Sequence, residues 1–248
     1  MRKIVLWLAA LALVLGGITM TAPAANALSC ANPWTSTNPQ GTKNYSNGYF
    51  VNQGMWNIGG YQVSQKMTAC NYNDWYVDAK MNNSSGDGAV KTYPHVGKTY
   101  GEWGNKANQP KVSSFASIVS SFDSTPPDGG IWDASYDLWL NDGNIEVMVW
   151  NHNSNQTPAG SVRGQVTQDG HVYDVWKSDN DYFAFVPRDN FDAGTVDLKA
   201  KVDYMKSRGW VGSRVKLVQI EYGIEFVSTG NVTKRFEVND FSISAPKA

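Results

Sequence analysis

The sequence predicts an all-β domain of the sandwich, jelly-roll or barrel type. Three observations predict it. Short runs rich in β-branched and aromatic residues recur between clusters of Gly, Asn, Asp and Pro. Two alternating runs meet at Gln168-Asp169-Gly170, where Asp-Gly suits the positive φ that a type I′ hairpin turn requires at both central positions. Only one segment, Thr195 to Ser207, carries apolar residues at helical spacing.

In chain order, Met1-Arg2-Lys3, the apolar stretch from Ile4 and Ala25-Asn26-Ala27 supply the charged, apolar and small-x-small regions of a secretory signal peptide. The apolar stretch approaches the minimum of about 17 residues for a spanning helix, but Gly16-Gly17 and the cleavage signal argue against an anchor. Residues 1–27 are expected to be removed, leaving 28–248 as one secreted, extracellular domain. In that oxidising setting Cys30 and Cys70 are expected to pair. Their bridge closes a loop of about 40 residues and contributes roughly 2–4 kcal/mol.

Strand signals follow at Tyr49 to Asn52, Gln62 to Lys66, Trp75 to Met81, Ser114 to Ser121, Ala134 to Leu140 and Ile145 to Asn151. They continue at Val162 to Val166, Val172 to Trp176, Tyr182 to Val186, Val215 to Phe226 and Lys234 to Ile243. The exception, Thr195 to Ser207, places Leu198, Val202 and Met205 at i, i+4 and i+7 before the stop residues Arg208-Gly209, as in a single surface helix.

Removal of residues 1–27 takes two of the 21 basic residues and none of the 22 acidic ones, leaving a net charge of −3. The longest basic stretch is Lys234-Arg235. That excludes a nucleic-acid footprint, and with the leader gone nothing in the sequence implies a membrane partner. His95, His152 and His171 are isolated in sequence, so no metal site or cofactor is expected. Asp179-Asn180-Asp181 lacks liganding spacing and reads as a turn. His152, just past the run ending at Trp150, could reach the rim of a site on that strand.

The chemistry is carried by acids in strands. Side chains alternate along a strand, so Ile145, Val147 and Val149 face a core while Glu146, Met148 and Trp150 share the other face. A carboxylate beside a large aromatic suits sugar chemistry, in which an aromatic ring stacks on the pyranose and an acid serves the oxocarbenium-like transition state. In Val218 to Phe226, Gln219, Glu221, Gly223 and Glu225 share one face, and Gly223 leaves room for a close approach to the backbone. In Trp132 to Trp139, Asp133, Ser135, Asp137 and Trp139 do so. Three acidic faces together fit a pair of carboxylates that hydrolyses a glycosidic bond and a third acid that sets their pKa values apart. Periodicity does not separate Glu221 from Glu225.

These motifs resemble glycoside hydrolase family 12, the small secreted jelly-roll endoglucanases, over nearly the whole mature chain. Glu146-Val147-Met148-Val149-Trp150 is similar to the family's nucleophile strand, Tyr136-Asp137-Leu138 to the strand before it, and Gly223-Ile224-Glu225 to the acid/base strand. Lys91-Thr92-Tyr93-Pro94 and Thr157-Pro158-Ala159-Gly160 are similar to further family segments, and Cys30 and Cys70 match an N-terminal disulfide. Met55-Trp56 resembles a strand that supplies a cleft Trp, with Gln53-Gly54 in place of an Asn pair. Gly97 to Asn108, with Tyr100 and Trp103, matches no family pattern.

The resemblance implies a jelly-roll sandwich of two antiparallel sheets with a concave substrate cleft. It implies Glu146 as nucleophile, Glu225 as general acid/base and Asp137 as the acid that tunes the nucleophile, in a retaining mechanism. It points to Trp56, Trp150, Met148, Tyr93 and Pro158 as sugar contacts, and to Trp139 as either a cleft or a packing residue. Trp132 and Trp176 are expected in the core. The implied partner is a β-1,4-glucan, namely cellulose, mixed-linkage glucan or xyloglucan, met by a monomer. The alternatives are a xylanase of the related family and a lectin-like jelly roll without catalysis.

Overall fold

The computed structural model describes residues 28–248, so the expected signal peptide lies outside the described residues. The strands in chain order are β1 (Trp34–Ser36), β2 (Thr42–Asn44), β3 (Tyr49–Asn52), β4 (Val63–Asn71), β5 (Asp74–Met81), β6 (His95–Thr99), β7 (Val119–Thr125) and β8 (Ile131–Leu140). They continue as β9 (Ile145–Ser154), β10 (Ser161–Gln168), β11 (His171–Lys177), β12 (Tyr182–Pro187), β13 (Ala193–Asp197), β14 (Leu217–Ser228) and β15 (Lys234–Ser244). One α-helix, α1 (Leu198–Ser207), lies between β13 and β14.

The strands form two sheets of a jelly-roll sandwich. One has the order β1-β4-β5-β15-β7-β13, the other β10-β11-β12-β9-β8-β14-β6-β3-β2. Alternation directs Tyr136 and Leu138 of β8, Val147 of β9 and Tyr222 and Ile224 of β14 into the core between the sheets, where they join Trp75, Val77, Phe236 and Phe241. The far face of the larger sheet carries a smaller apolar group, Met148, Trp150 and Ala184, flanked by Trp176, Tyr182 and Val186. Trp176 therefore lies outside the main core, because its neighbours on β11, Tyr173 and Val175, take the inward positions. Cys30 and Cys70 are bonded and tie the N-terminal segment to β4.

Several elements differ from expectation, and the sequence signals miss strands β1, β2, β6 and β13. β9 and β12 run parallel, with Tyr182 opposite Glu146 and Ala184 opposite Met148, so the larger sheet is not wholly antiparallel. The chain crosses from β9 to the far edge at β10, and two antiparallel reversals return it beside β9 in the original direction. The helix starts at Leu198, three residues later than the periodicity suggests. Thr195 to Asp197 pair with β7, and Asp197 caps the helix by accepting from the Ala200 amide at 2.9 Å. Ser114 closes a short 3-10 turn, which delays the next strand to Val119.

The Asp169-Gly170 turn has φ values of 55° and 81°, as the hairpin requires. It docks onto α1. Lys201 is wholly buried, with Nζ 2.5 Å from Asp169 Oδ2 and 4.3 Å from the Tyr173 ring centroid. Asp169 Oδ1 also accepts from the Asp197 amide, and Gln168 donates to the Ala200 carbonyl.

Candidate active site

The concave face of the larger sheet holds a cleft of about 740 Å³, lined among others by Glu146, Asp137, Glu221, Glu225, Trp56 and Trp103. Alternation along three adjacent strands assembles its acids. β8 offers Asp133, Ser135, Asp137 and Trp139, β9 offers Glu146, Met148 and Trp150, and β14 offers Gln219, Glu221 and Glu225. Register then sets the neighbours: Glu225 lies opposite Asp133, Glu221 opposite Asp137, and Glu146 opposite Trp139.

Crowding like charges in a dry groove favours their neutral forms. Burial, then the nearby Glu221 charge, pushes the Glu146 carboxyl up to about 7. Burial, then the Glu146 charge, pushes Glu225 up to about 7 as well, and a hydrogen bond from Asp133 pulls the other way. Asp137 is held well above the usual carboxylate range by burial, then by Glu146 and Glu221. Asp133, fully buried, is likewise held high by burial and by Glu225, while Ser135 Oγ donates to its Oδ2 at 2.9 Å. The Glu146 charge acts on Glu225, so ionising Glu146 makes Glu225 harder to ionise.

Glu221 and Glu225, inseparable by spacing, differ in their partners. Glu221 accepts from Gln219 Nε2 and from Trp139 Nε1 at 3.2 Å, and His95 Nε2 lies 3.4 Å from its Oε1. His95 Nδ1 meets the Tyr93 carbonyl at 2.7 Å, and because a carbonyl only accepts, that nitrogen carries the hydrogen. Glu221 is thus clamped in place. Glu225 pairs with Asp133 and lines the cleft, where it can exchange a proton with a ligand.

The expected contact residues line the cleft: Trp56, Trp150, Met148, Tyr93 and Pro158, together with Trp139. Their roles differ. Trp56 is 60 % exposed, whereas Trp150 is 1 % exposed and packs on Met148 and Ala184. Trp150 therefore forms part of the floor and is not the freely exposed stacking surface the sequence suggested. Tyr93 donates to the Ser135 carbonyl at 3.1 Å, and Tyr182 donates to the Met148 sulfur at 3.2 Å.

Gly223 serves a different purpose from the one its place between two acids suggested. A Cβ there would lie 2.1 Å from the Pro94 carbonyl oxygen, so the missing side chain admits neighbouring backbone and not a ligand. Gln53 is buried and bonds to Ser36 and Gln65, turned away from the cleft that Asn52 lines. His152 does not reach the rim. Ala134 and Ser135 pair with His152 and Trp150, leaving Asn151 as a bulge, and His152 turns to Asp192 at 2.7 Å and packs on Trp132.

Sequence reasoning missed His95, Trp103 and Tyr182 as cleft residues. Tyr182 was within reach of alternation, since it shares a face with Ala184 and Val186, but its place beside Glu146 depends on the parallel pairing. Trp103 lies in an irregular segment with no period to read. Among the described residues, no His, Cys, Asp and Glu group is arranged to hold a metal ion, and no helix is long and apolar enough to cross a membrane.

Comparison with known proteins places these features in a family. Residues 47–245 match the family model described as Glycosyl hydrolase family 12. A "Probable cellulase Cel12b" of Mycobacterium tuberculosis is 29% identical over 131 residues, covering 48% of this chain and 87% of that one. The xyloglucanase domain of NopAA, a type three effector from Sinorhizobium fredii solved with cellobiose, is 25% identical with a TM-score of 0.74, covering 86% of this chain and 98% of that one. A native family 12 xyloglucanase from Bacillus licheniformis, 19% identical with a TM-score of 0.74 over 86% of this chain and 100% of its own, shares the fold.

Proposed function

This chain belongs to glycosyl hydrolase family 12 and is a glycoside hydrolase, and on that premise we propose that it is a secreted, monomeric endo-acting enzyme that cleaves internal β-1,4-glucosidic bonds with retention. Glu146 attacks the anomeric carbon as Glu225 protonates the departing glycosidic oxygen, and a covalent glycosyl-enzyme forms. Glu225 then takes a proton from water, whose oxygen displaces Glu146 from the anomeric carbon. Asp137, opposite Met148 and next to Glu146 on the cleft face, tunes the nucleophile. Trp56 stacks on a sugar ring.

The observation that carries this reading is the Glu146 and Glu225 pair, each pushed to about 7 in one aromatic-walled cleft. Such a pair shares one proton near neutrality, and general acid catalysis beside an ionised nucleophile needs that singly protonated state. The xyloglucanase domain solved with cellobiose supports a β-glucan as the substrate class.

The test is to incubate residues 28–248 with carboxymethylcellulose, barley glucan, xyloglucan and xylan and to size the products. We expect reducing ends and a rapid fall in chain length on one or more of the glucans, with little release from xylan. Glu146→Gln is expected to lower turnover by on the order of 10³-fold or more while oligosaccharide binding persists. Wild-type turnover in Glu146→Gln would remove it as the nucleophile, and preferential attack on xylan would overturn the substrate class.

A further inference from the structure

We propose that Glu221 and His95 are a positioning pair for the nucleophile, an imidazolium–carboxylate pair that ties down the indole beside Glu146 and sets the charge that Glu146 meets. The proposal rests on the reading of Glu146 as the nucleophile of a β-glucan hydrolase and adds what holds its surroundings.

Strand register brings the pair to the nucleophile. Glu221 lies opposite Asp137 of β8, and Trp139, two residues along on the same face, lies opposite Glu146 of β9. Trp139 Nε1 donates to Glu221 Oε2 at 3.2 Å, and Gln219 Nε2 donates to Oε1. The indole next to Glu146 is therefore fastened through Glu221. His95 approaches from the other side of β14, on β6 opposite Gly223. Gly223 makes the room, since a Cβ there would lie 2.8 Å from His95 Cβ. The imidazole stacks on Tyr93 and stands edge-to-face with Phe50.

The hydrogen bonds decide the charge. Nδ1 carries its hydrogen to the Tyr93 carbonyl, so a neutral ring would turn the Nε2 lone pair toward Glu221 Oε1, 3.4 Å away, with the two side chains only 10 % and 8 % exposed. A proton on Nε2 replaces that repulsion with an ion pair. Among the described residues that line the cleft, Asp137, Glu146, Glu221 and Glu225 are acids, none is Lys or Arg, and His95 is the one base. The other groups packed on His95 bring no cation. Phe50 and Asn52 of β3 are uncharged, and burial, then Asp137 and the cleft glutamates, pushes the Tyr93 phenol up so that it stays neutral. Burial and the Glu221 charge make Glu146 hard to ionise, and Glu221 acts on Asp137 as well. His95 offsets that charge. The two partners therefore pull Glu146 in opposite directions: without Glu221 it ionises more readily, and without the His95 cation less readily.

The experiment measures kcat/KM against pH on a soluble glucan for wild type, Glu221→Gln and His95→Gln, and records nitrogen-15 spectra of the histidine rings at neutral pH. The acidic limb reports ionisation of the nucleophile in the free enzyme. We expect it to move down in Glu221→Gln and up in His95→Gln, each by about half a pH unit to one unit, the size of one screened charge several ångströms away. Both ring nitrogens of His95 should be protonated in wild type, and only one in Glu221→Gln. Limbs that stay put while kcat falls, limbs that move the same way in both variants, or a wild-type His95 with one protonated nitrogen would overturn the pair. A wild type that hydrolyses no glucan defeats the functional reading instead. The ring spectra then judge the pair alone: a doubly protonated His95 that depends on Glu221 upholds it, and one that does not ends it.

Discussion

Asp133 shares the acidic face of β8 with Asp137 and is the more deeply buried of the two. It is fully buried, accepts from Ser135, sits across the strand pair from Glu225, and is held well above the usual carboxylate range by burial and by that neighbour. A protonated Asp133 donates to Glu225, and that hydrogen bond favours the ionised form of Glu225 and draws its titration down. The sign follows. Removing the donor raises Glu225, which must be protonated to act as the acid, so Asp133→Ala is expected to move the basic limb of the kcat/KM profile to higher pH. A pH–rate series on a soluble glucan measures this, and a basic limb that stays put or moves down would show that Asp133 does not govern Glu225. Little of this was legible in the sequence. Alternation put Asp133 on the acidic face, but only the β8–β14 register makes Glu225 its partner.

At the scale of elements, the β10–β11 hairpin and α1 are joined by one buried ion pair, Lys201 with Asp169. Lys201 is the buried partner and Asp169 is only partly covered, so Lys201→Ala leaves a cavity in the seam and an unpaired Asp169, whereas an apolar side chain of similar length fills the space. Lys201→Ala is therefore expected to lower the urea midpoint strongly, and Lys201→Met less so. An Ala variant as stable as wild type would mean that the pair does not hold the hairpin. The hairpin turn itself was readable, because Asp-Gly is a local signal. Its docking was not, because Lys201 falls beside the Leu198, Val202 and Met205 stripe and lysine ordinarily reads as solvated. The bulge at Asn151 escaped for a related reason: one extra residue leaves the local composition unchanged yet turns His152 from the rim to Trp132.

At the scale of the molecule, the sandwich divides labour between its two sheets. The smaller sheet closes the core, and the larger one is apolar on its inner face and acidic and aromatic on its concave face. That division was legible because a strict two-residue period writes both faces of β8, β9 and β14 into the sequence at once. Legibility ended where the cleft draws on irregular chain, such as the loop of Trp103, or on pairings between distant strands, such as β9 with β12. It also ended at Glu221 and Glu225, which lie four residues apart on one face and are separated only by the partners folding brings to each. The central claim is that Glu146 and Glu225 hydrolyse a β-1,4-glucan through a covalent intermediate. Proton NMR of the anomeric signals during the first minutes of oligosaccharide hydrolysis tests it most directly. Retention requires that the β-anomer accumulate first and then mutarotate, whereas initial release of the α-anomer would mean direct attack by water and would contradict Glu146 as a nucleophile.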